Sequence, residues 1–241
     1  MFNKIINFFK RLFGYKKEET ILECSVKYFK SPVKILLDNG HGENTLGKRS
    51  PFSNSGVLPN IEFYEYAWNR EIARMVYDKL ISLNYDVELL VPEIKDISLS
   101  ERVARVNKQC DKLGKNNVLL VSIHANASGD GSQWENGRGW EAYTSVGKTN
   151  SDYVAAYFYN NAESIFKGKK IRYDWLDGDS DKEVNFYILK YTKCPAILTE
   201  NFFYDNIEDV KLLLSKDGKN KIIDLHINAI IKYLKNKEGD R

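Results

Sequence analysis

Cysteine and histidine are scarce in this chain of 241 residues, which contains three of each. Cys24, Cys110 and Cys194 are isolated, odd in number and never part of a Cys-x-x-Cys pair. That pattern excludes a disulfide framework of the kind that holds small secreted domains together. We therefore expect these cysteines to be buried free thiols in a chain made in a reducing compartment.

The chain also lacks a strong charge imbalance, an internal repeat and any low-complexity segment. Its formal net charge of +3 indicates no dedicated nucleic-acid surface, although it would not repel an anionic polymer such as a cell wall. The hydrophobic content of 43% and the charged content of 29% are ordinary for a soluble globular protein. At this length the chain can form one large domain or two small ones.

The N-terminal segment is too short to span a bilayer, and charges interrupt it too often for a signal peptide. Residues 1–14 have the spacing of a basic amphipathic helix, with lysine or arginine at positions 4, 10 and 11. Such a helix either contacts a membrane peripherally, or packs on the domain or frays. With residues 15–20 as a polar connector, we predict an N-terminal segment over 1–20 and one folded domain over 30–237.

Apolar runs typical of strands alternate with segments of helical period through the rest of the chain. The predicted strands are 33–37, 85–91, 117–123, 140–144, 186–191 and 196–199. The predicted helices are 62–83, a helix capped by Ser98 or Ser100 that ends near Gly114, and 151–166, 206–214 and 219–234. This alternation predicts an α/β fold: a single domain with a central, mostly parallel, twisted sheet covered by helices on both faces.

Ionisable residues follow three of the predicted strands. His41 lies just after the first strand, between two glycines, and His124 and Glu200 end two others. Because the carboxyl ends of parallel strands meet at one edge of a sheet, these groups are expected to converge. Two histidines and a carboxylate form a catalytic zinc set, and a second carboxylate can then move a proton. Glu200 is placed to move the proton, and either Glu62 or Glu65 could be the carboxylate that binds the metal.

Five segments carry a resemblance to a known family. In order they are LLDNGHG, EYAWNREIA, SLSERVARVN, LLVSIHANAS and PAILTEN. Together they resemble the zinc-dependent N-acetylmuramoyl-L-alanine amidases of bacterial cell-wall lysis, from about Val33 to the C-terminus. The resemblance implies a hydrolase that cleaves the amide bond between N-acetylmuramic acid and L-alanine in peptidoglycan.

The same resemblance assigns the site residues. It implies one zinc ion per chain, with His41, Glu65 and His124 as the metal ligands and Glu200 as the catalytic base. Glu65 is favoured over Glu62 because a glutamate four residues before an asparagine, here Asn69, is the family pattern. Asp38 is expected to be an acceptor that orients a ligand, and His226 to be a packed histidine of the last helix.

The chain departs from the family pattern in three places. The first histidine is followed by a longer loop, HGENTLGKRSP, and Val91-Pro92-Glu93 replaces Thr-Arg-Asp after the second strand. Asn201-Phe202-Phe203 stands where the family has Gly-Phe. These departures concern the lining of the groove and hence the preferred stem peptide. The alternatives are a non-catalytic cell-wall-binding module on the same fold and another zinc peptidase.

Without a signal peptide, the enzyme is expected to accumulate in the cytoplasm until it is released to the cell wall. This suits a phage or prophage endolysin, and an autolysin secreted by a signal-independent route is the alternative. The expected partner is peptidoglycan and not nucleic acid, with possible peripheral membrane contact through residues 1–14. A monomer is assumed.

Overall fold

The computed structural model describes residues 32–51 and 62–239. The predicted N-terminal helix over 1–14, its connector and Cys24 lie outside the described residues. Within the described part of the chain, no helix is long and apolar enough to cross a membrane. Cys110 and Cys194 are free and buried, as predicted.

Strands and helices alternate along the described chain, which confirms the predicted α/β class. The strands are β1 (Lys34–Asn39), β2 (Val87–Leu89), β3 (Val118–Asn126), β4 (Glu141–Thr144), β5 (Lys182–Glu183) and β6 (Ala196–Phe203). The helices are α1 (Glu65–Ser82), α2 (Leu99–Leu113), α3 (Asn150–Ile165), α4 (Tyr187–Lys190), α5 (Ile207–Leu214) and α6 (Lys216–Gly239).

The six strands form one sheet in the order β2-β1-β3-β6-β4-β5. Strands β2, β1, β3 and β6 are parallel neighbours, whereas β4 runs antiparallel to β6 and parallel to β5. The chain leaves β1 for β2 on one side and then crosses to β3 on the other. The carboxyl ends of β1 and β3 therefore lie at a switch point, where open α/β sheets bind ligands.

Alternate side chains of the sheet enter two hydrophobic clusters, one on each face. In β1, Ile35 and Leu37 join the cluster formed with α1, α3, α5 and α6. Leu36 faces the opposite cluster, which contains residues of α2 and α4. Both faces of the sheet are covered by helices, as predicted.

The predicted strand over 186–191 is wrong, because this segment forms the short helix α4. Its two buried residues, Ile188 and Leu189, are consecutive, while Phe186 and Tyr191 are exposed. A strand would send consecutive side chains to opposite faces, but one helical turn can bury both against α2. The two-residue strand β5 was not predicted, since it is too short to show a period.

Two helix starts are defined by local hydrogen bonds. Ser98, rather than Ser100, caps α2, because its Oγ accepts a hydrogen bond from the backbone N–H of Glu101 at 3.1 Å. Helix α1 begins at Glu65, three residues later than predicted. This start places the Glu65 side chain at the end of the sheet rather than along the helix face.

Candidate metal centre

Three predicted ligands meet beyond the carboxyl ends of β1 and β3. One nitrogen of His41, one carboxylate oxygen of Glu65 and one nitrogen of His124 all lie within 4.8 Å of one another. His41 Nε2 is 3.3 Å from Glu65 Oε2, and His124 Nδ1 is 3.0 Å from Glu65 Oε1. Within the described residues, this is the single group of three or more such side chains with metal-binding spacing.

The backbone around His41 is shaped to bring the two imidazoles together. His41 has a φ of 66°, in the left-handed region that non-glycine residues rarely adopt. A Cβ on the preceding Gly40 would lie 1.9 Å from Cε1 of His124, so only glycine fits beside that ring. The His41 and His124 rings pack edge to face with centroids 5.0 Å apart. Strained backbone of this kind is typical of functional sites.

Asp38 is a buried acceptor close to the centre, as predicted, and its direct partners are Arg102 and Ser122 rather than a histidine ring. Its carboxylate accepts hydrogen bonds from the guanidinium of Arg102 and from Ser122 Oγ. The same guanidinium donates to the carbonyl of Asn39 at 3.0 Å and to that of His41 at 3.4 Å. Asp38 therefore supports the loop that carries His41 indirectly, through the buried guanidinium of Arg102.

Glu65 is fixed by its position at the start of α1. Its N–H donates to the carbonyl of Lys48 at 2.9 Å, and its Oε1 accepts from the N–H of Ala125 at 3.3 Å. Asn69 Nδ2 donates to Glu65 Oε1 at 3.3 Å and to the carbonyl of Gly40 at 3.1 Å. These bonds join helix α1 to the loop after β1 and to β3.

Electrostatics within the centre favour an ionised Glu65. Burial alone would raise the pKa of Glu65, but hydrogen bonds from His124 and His41 hold it well below its usual range. Burial would conversely lower the pKa of His124, and its hydrogen bond to Glu65 reverses the direction and raises it. In this arrangement the carboxylate is negative and both ring nitrogens point towards it.

Glu200 lies beside the three ligands on the adjacent strand. It is the register partner of His124 in the parallel pair of β3 and β6. Its Oε2 is buried, and no group in the described part of the chain forms a hydrogen bond with it. Burial raises the pKa of Glu200 to about 8; His124 counteracts the shift, and Glu65 adds to it. Glu200 is thus a carboxyl group close to the centre that forms no ion pair with any residue in the described ranges.

Residues that the sequence did not single out hold Glu200 and His124 in register. Asn201 Nδ2 donates to the carbonyl of His124 at 2.8 Å, and its Oδ1 accepts from the indole N–H of Trp140 at 3.0 Å. Phe202 has a φ of 62°, and the register of β3 and β6 shifts here. The one available signal was the departure at 201–203 from the family pattern. For Arg102, the signal was a charge four residues before the buried Val106, on the apolar face of α2.

The centre opens into a cleft of about 440 Å³ on the sheet face covered by α2 and α4. Its lining residues are Asp38, Gly40, His41, Lys48, Asp96, Ile97, Ser98, Leu99, Arg102, His124, Phe186, Tyr187, Ile188, Leu198 and Glu200. The cleft therefore combines the polar groups of the centre with an apolar and aromatic wall. That combination is typical of substrate sites.

Two other candidates lie away from the centre. Glu62, the alternative ligand, is exposed before α1. His226 is fully buried in α6, where its Nδ1–H donates to the carbonyl of Ile222 at 2.7 Å and its Nε2 lies 3.0 Å from Thr199 Oγ1. Burial lowers the pKa of His226 to about 4. It is a packed histidine, as predicted.

The donor set fits a metal ion. Two imidazole nitrogens and a carboxylate are the protein ligands of many catalytic zinc sites, which leave a further position open. Glu65 is also held from behind by Asn69 and by the N–H of Ala125, as metal ligands usually are. The observed arrangement of His41, Glu65 and His124 is therefore consistent with a metal site, typical of zinc amidases.

Comparison with known proteins identifies relatives with the same arrangement of elements. The sequence profile described as N-acetylmuramoyl-L-alanine amidase matches residues 35–232. The chain is 26% identical to the endolysin of Bacillus phage SPP1 over 213 residues, covering 85% of this chain and 68% of that protein. It is 29% identical to the amidase CwlM of Bacillus licheniformis, covering 82% of this chain and 67% of that protein.

A solved structure agrees with these sequence relatives. The N-acetylmuramoyl-L-alanine amidase of Clostridium difficile 630 superposes with a TM-score of 0.68 at 25% identity, covering 86% of this chain and 99% of that one. The family match covers the whole described sheet from β1 to β6 and all four residues of the centre. The chain belongs to the N-acetylmuramoyl-L-alanine amidase family and has the amidase activity of that family.

Proposed function

We propose that this amidase uses one zinc ion per chain, held by His41, Glu65 and His124, and that Glu200 transfers the proton. The observation that carries the proposal is the meeting of two imidazole nitrogens and a carboxylate within 4.8 Å, next to Glu200 Oε2, a buried oxygen with no hydrogen-bond partner among residues 32–51 and 62–239. The substrate is peptidoglycan, in which the amide between N-acetylmuramic acid and L-alanine is hydrolysed.

In the proposed mechanism, the chain's residues bind, orient and move a proton. A bound zinc ion would lower the pKa of water and polarise a carbonyl group. Glu200 takes the proton from the water whose oxygen attacks the amide carbon. It then gives this proton to the alanine nitrogen as the C–N bond breaks. The products are the carboxylate of the muramic acid lactyl group and a peptide with a free N-terminal alanine.

The surroundings of Glu200 suit both halves of that transfer. Its raised pKa makes it a better proton acceptor than an exposed glutamate and allows it to hold the proton until the amine leaves. His124 and Lys48 favour the ionised form that must act first. With its Oε2 unpaired in the described residues, Glu200 can take the water's proton without first breaking an ion pair.

Three glutamine substitutions test the assigned roles. Glu200→Gln removes the base but no ligand, so we expect hydrolysis of purified cell walls to fall at least about 100-fold while the zinc content is unchanged. Glu65→Gln is expected to lower both zinc content and activity. Glu62→Gln, in an exposed glutamate three residues earlier, is the matched control and should alter neither.

The measurements are dye release from labelled cell walls, with and without a chelator, and metal analysis of each purified variant. Mass spectrometry should find stem peptides that begin with alanine. Activity of Glu200→Gln within about tenfold of the wild type would contradict the proton-transfer role. Full zinc content in Glu65→Gln would contradict the ligand set.

We also propose that the enzyme is a lysis enzyme of the endolysin type, in keeping with its similarity to the phage SPP1 endolysin. It would stay in the cytoplasm until released to the wall, with signal-independent secretion as the alternative. The same proposal divides the chain into an N-terminal segment over 1–20 and a catalytic domain over 30–237. It also assigns peripheral membrane contact to residues 1–14.

A further inference from the structure

A row of charged residues crosses the sheet beside the metal centre. Glu200 of β6, which lies next to the candidate ligands, is the register partner of Glu141 in the antiparallel strand β4. On the other side of β4, a parallel bridge between Trp140 and Ile171 places Arg172 next to Glu141. Directly opposed residues of neighbouring strands point to the same face of a sheet. Glu141 and Arg172 therefore share the sheet face of Glu200.

Glu141 is buried and holds two cations at this end of the sheet. Its Oε2 lies 2.6 Å from both Arg172 Nε and Lys182 Nζ. Its Oε1 accepts hydrogen bonds from Asn126 Nδ2 at 2.7 Å and from the hydroxyl of Tyr143 at 2.8 Å. Burial alone would raise the pKa of Glu141, but hydrogen bonds from Lys182 and Arg172 hold it below its usual range. The carboxylate is therefore negative, and both of its oxygens have donors.

The two cations carry more positive charge than Glu141 compensates, since one carboxylate is paired with both of them. Their side chains reach solvent, with exposed fractions of 31% for Arg172 and 21% for Lys182. Arg172 donates to Glu141 through Nε, and no hydrogen bond among the described residues uses its two terminal nitrogens. Such a guanidinium can still bind a further carboxylate through two parallel N–H groups.

Aromatic side chains connect these cations to the catalytic cleft. Lys182 Nζ lies 5.7 Å from the centroid of the Tyr143 ring, which packs at 5.2 Å on Phe186 in the cleft lining. The guanidinium carbon of Arg172 lies 5.2 Å from the centroid of the Phe203 ring. These contacts restrain two long side chains, so less conformational freedom is lost when they bind an anion.

The chemistry of the substrate decides which anion can reach the two cations. On the sugar side of the scissile amide, the lactyl carboxyl group is part of the bond itself, and the N-acetyl and hydroxyl groups are uncharged. The ionised carboxylates therefore lie on the stem peptide. The first of them belongs to the second residue, a D-glutamate whose α-carboxylate is free because the stem continues from its side chain.

We propose that Arg172 and Lys182 bind the α-carboxylate of the second stem residue and so determine which stem peptides are cleaved. The inference rests on the proposed peptidoglycan amidase function and adds the group that is recognised. One extended residue spans about 3.5 Å, so this carboxylate lies roughly 6 Å from the scissile nitrogen. The backbone of Arg172 is two strands, about 10 Å, from that of Glu200, which its side chain can bridge to the substrate. Glu141 positions the two cations and does not touch the substrate.

The test compares two muropeptides that differ in one group. Both have the same sugars and the same stem, but the second residue is D-glutamate in one and D-isoglutamine in the other, where an amide replaces the carboxylate. The full-length, zinc-loaded enzyme is expected to cleave the glutamate form with a kcat/KM at least about tenfold higher, mainly through a lower KM. Mass spectrometry of the products confirms that the same amide is cleaved in both.

Variants separate recognition from support of the fold. Arg172→Gln and Lys182→Gln should each raise KM for the glutamate form at least about fivefold, with kcat and zinc content within about twofold of the wild type. KM for the isoglutamine form should change little, so the preference shrinks. Each variant leaves Glu141 with one cation, which keeps its buried charge compensated. Lys193→Gln, in an exposed lysine paired with Asp111, is the matched control and should keep the full preference.

A role limited to compensating Glu141 would affect the two muropeptides alike, so equal losses for both forms would overturn the inference. Equal cleavage of the two forms by the wild-type enzyme would also overturn it and would leave the amidase function intact. Cleavage of neither would contradict the proposed function and the inference with it. Thermal unfolding identifies a variant that fails to fold, and the other variant then decides.

Discussion

At the scale of single residues, the metal centre depends on the absence of a side chain at Gly40 as well as on its candidate ligands. Gly40 lies against the His124 ring so closely that a Cβ would be 1.9 Å from Cε1 and 2.3 Å from Nε2. The carbonyl of Gly40 also accepts the bond from Asn69 that holds helix α1 near the centre. A side chain at position 40 would therefore push the His124 ring away from Glu65.

Gly40→Ala is expected to lower zinc content and amidase activity by at least about tenfold, since the added methyl group displaces the His124 ligand. Gly168→Ala is a suitable control. Gly168 has open space around its Cβ position but a φ of 83°, so alanine there costs about 1 kcal/mol of backbone strain without touching the centre. Metal analysis and wall hydrolysis measure both variants. Unchanged zinc content in Gly40→Ala would contradict the prediction.

The sequence could predict these residues only where a local pattern marked them. His41, His124 and Glu200 follow apolar runs, and the rule that strand ends converge is enough to bring them together. The choice between Glu62 and Glu65 could not be made from spacing, because residues three apart share a helix face. It depends on where α1 begins, and residues 48–50 hold that start through backbone bonds to residues 63–65.

At the scale of elements, helix α2 positions the loop that carries His41. Arg102 of α2 is 2% exposed and joins Asp38 of β1, the Asn39 carbonyl and Asp96. Arg105, one turn later, is partly exposed and pairs with Glu93 and Glu101 at the surface. The two arginines have the same chemistry but differ in burial. Comparing their variants therefore separates the contribution of a buried ion pair from that of an exposed one.

Arg102→Ala is expected to lower the free energy of unfolding by about 3–5 kcal/mol, because Asp38 would keep a buried charge without its partner. It should also weaken zinc binding, as the His41 loop loses a support. Arg105→Ala should cost about 1 kcal/mol or less, as exposed ion pairs do. Urea denaturation and metal analysis measure both effects. Equal losses in the two variants would show that burial does not decide the role of Arg102.

Elements were predictable where their periods were long. The apolar run of β3 and the long helical period of α1 were predicted, with ends misplaced by a few residues. The segment 186–191 was not, because an apolar run of six residues fits a strand as well as a helical turn. The antiparallel direction of β4 likewise could not be predicted from local sequence, because it depends on the pairing of β4 with β6 in the folded sheet.

At the scale of the whole molecule, the two acidic regions are held differently. The carboxylate of Glu65 in the metal centre is compensated by His41 and His124, whereas the buried Asp181, just before β5, has another carboxylate, Asp179, as its neighbour. The first arrangement follows from strand ends that the sequence reveals. The second depends on burial, which no local pattern shows. It affects the stability of the whole fold and how that stability changes with pH.

The buried Asp181, whose Oδ2 accepts a hydrogen bond of 2.6 Å from Thr144 Oγ1, should make stability fall as the pH rises. Near pH 3 its carboxyl group is protonated in both the folded and the unfolded chain. Between about pH 4 and 7 the unfolded chain loses this proton, but the folded chain keeps it because burial, followed by Asp179, raises the pKa to about 7. Folding then holds a proton that unfolding releases, so each rise in pH favours the unfolded state until the folded group ionises.

Asp181→Asn removes that titrating group and can still accept the hydrogen bond from Thr144. We expect its Tm to exceed that of the wild type by roughly 2–4 °C at pH 7.5, and the gap to shrink towards pH 4. Asp111→Asn, which removes an exposed negative charge, should show a gap that changes little over the same range. A gap for Asp181→Asn that is independent of pH would mean that the buried carboxyl group is ionised throughout, with its charge compensated by the protein alone.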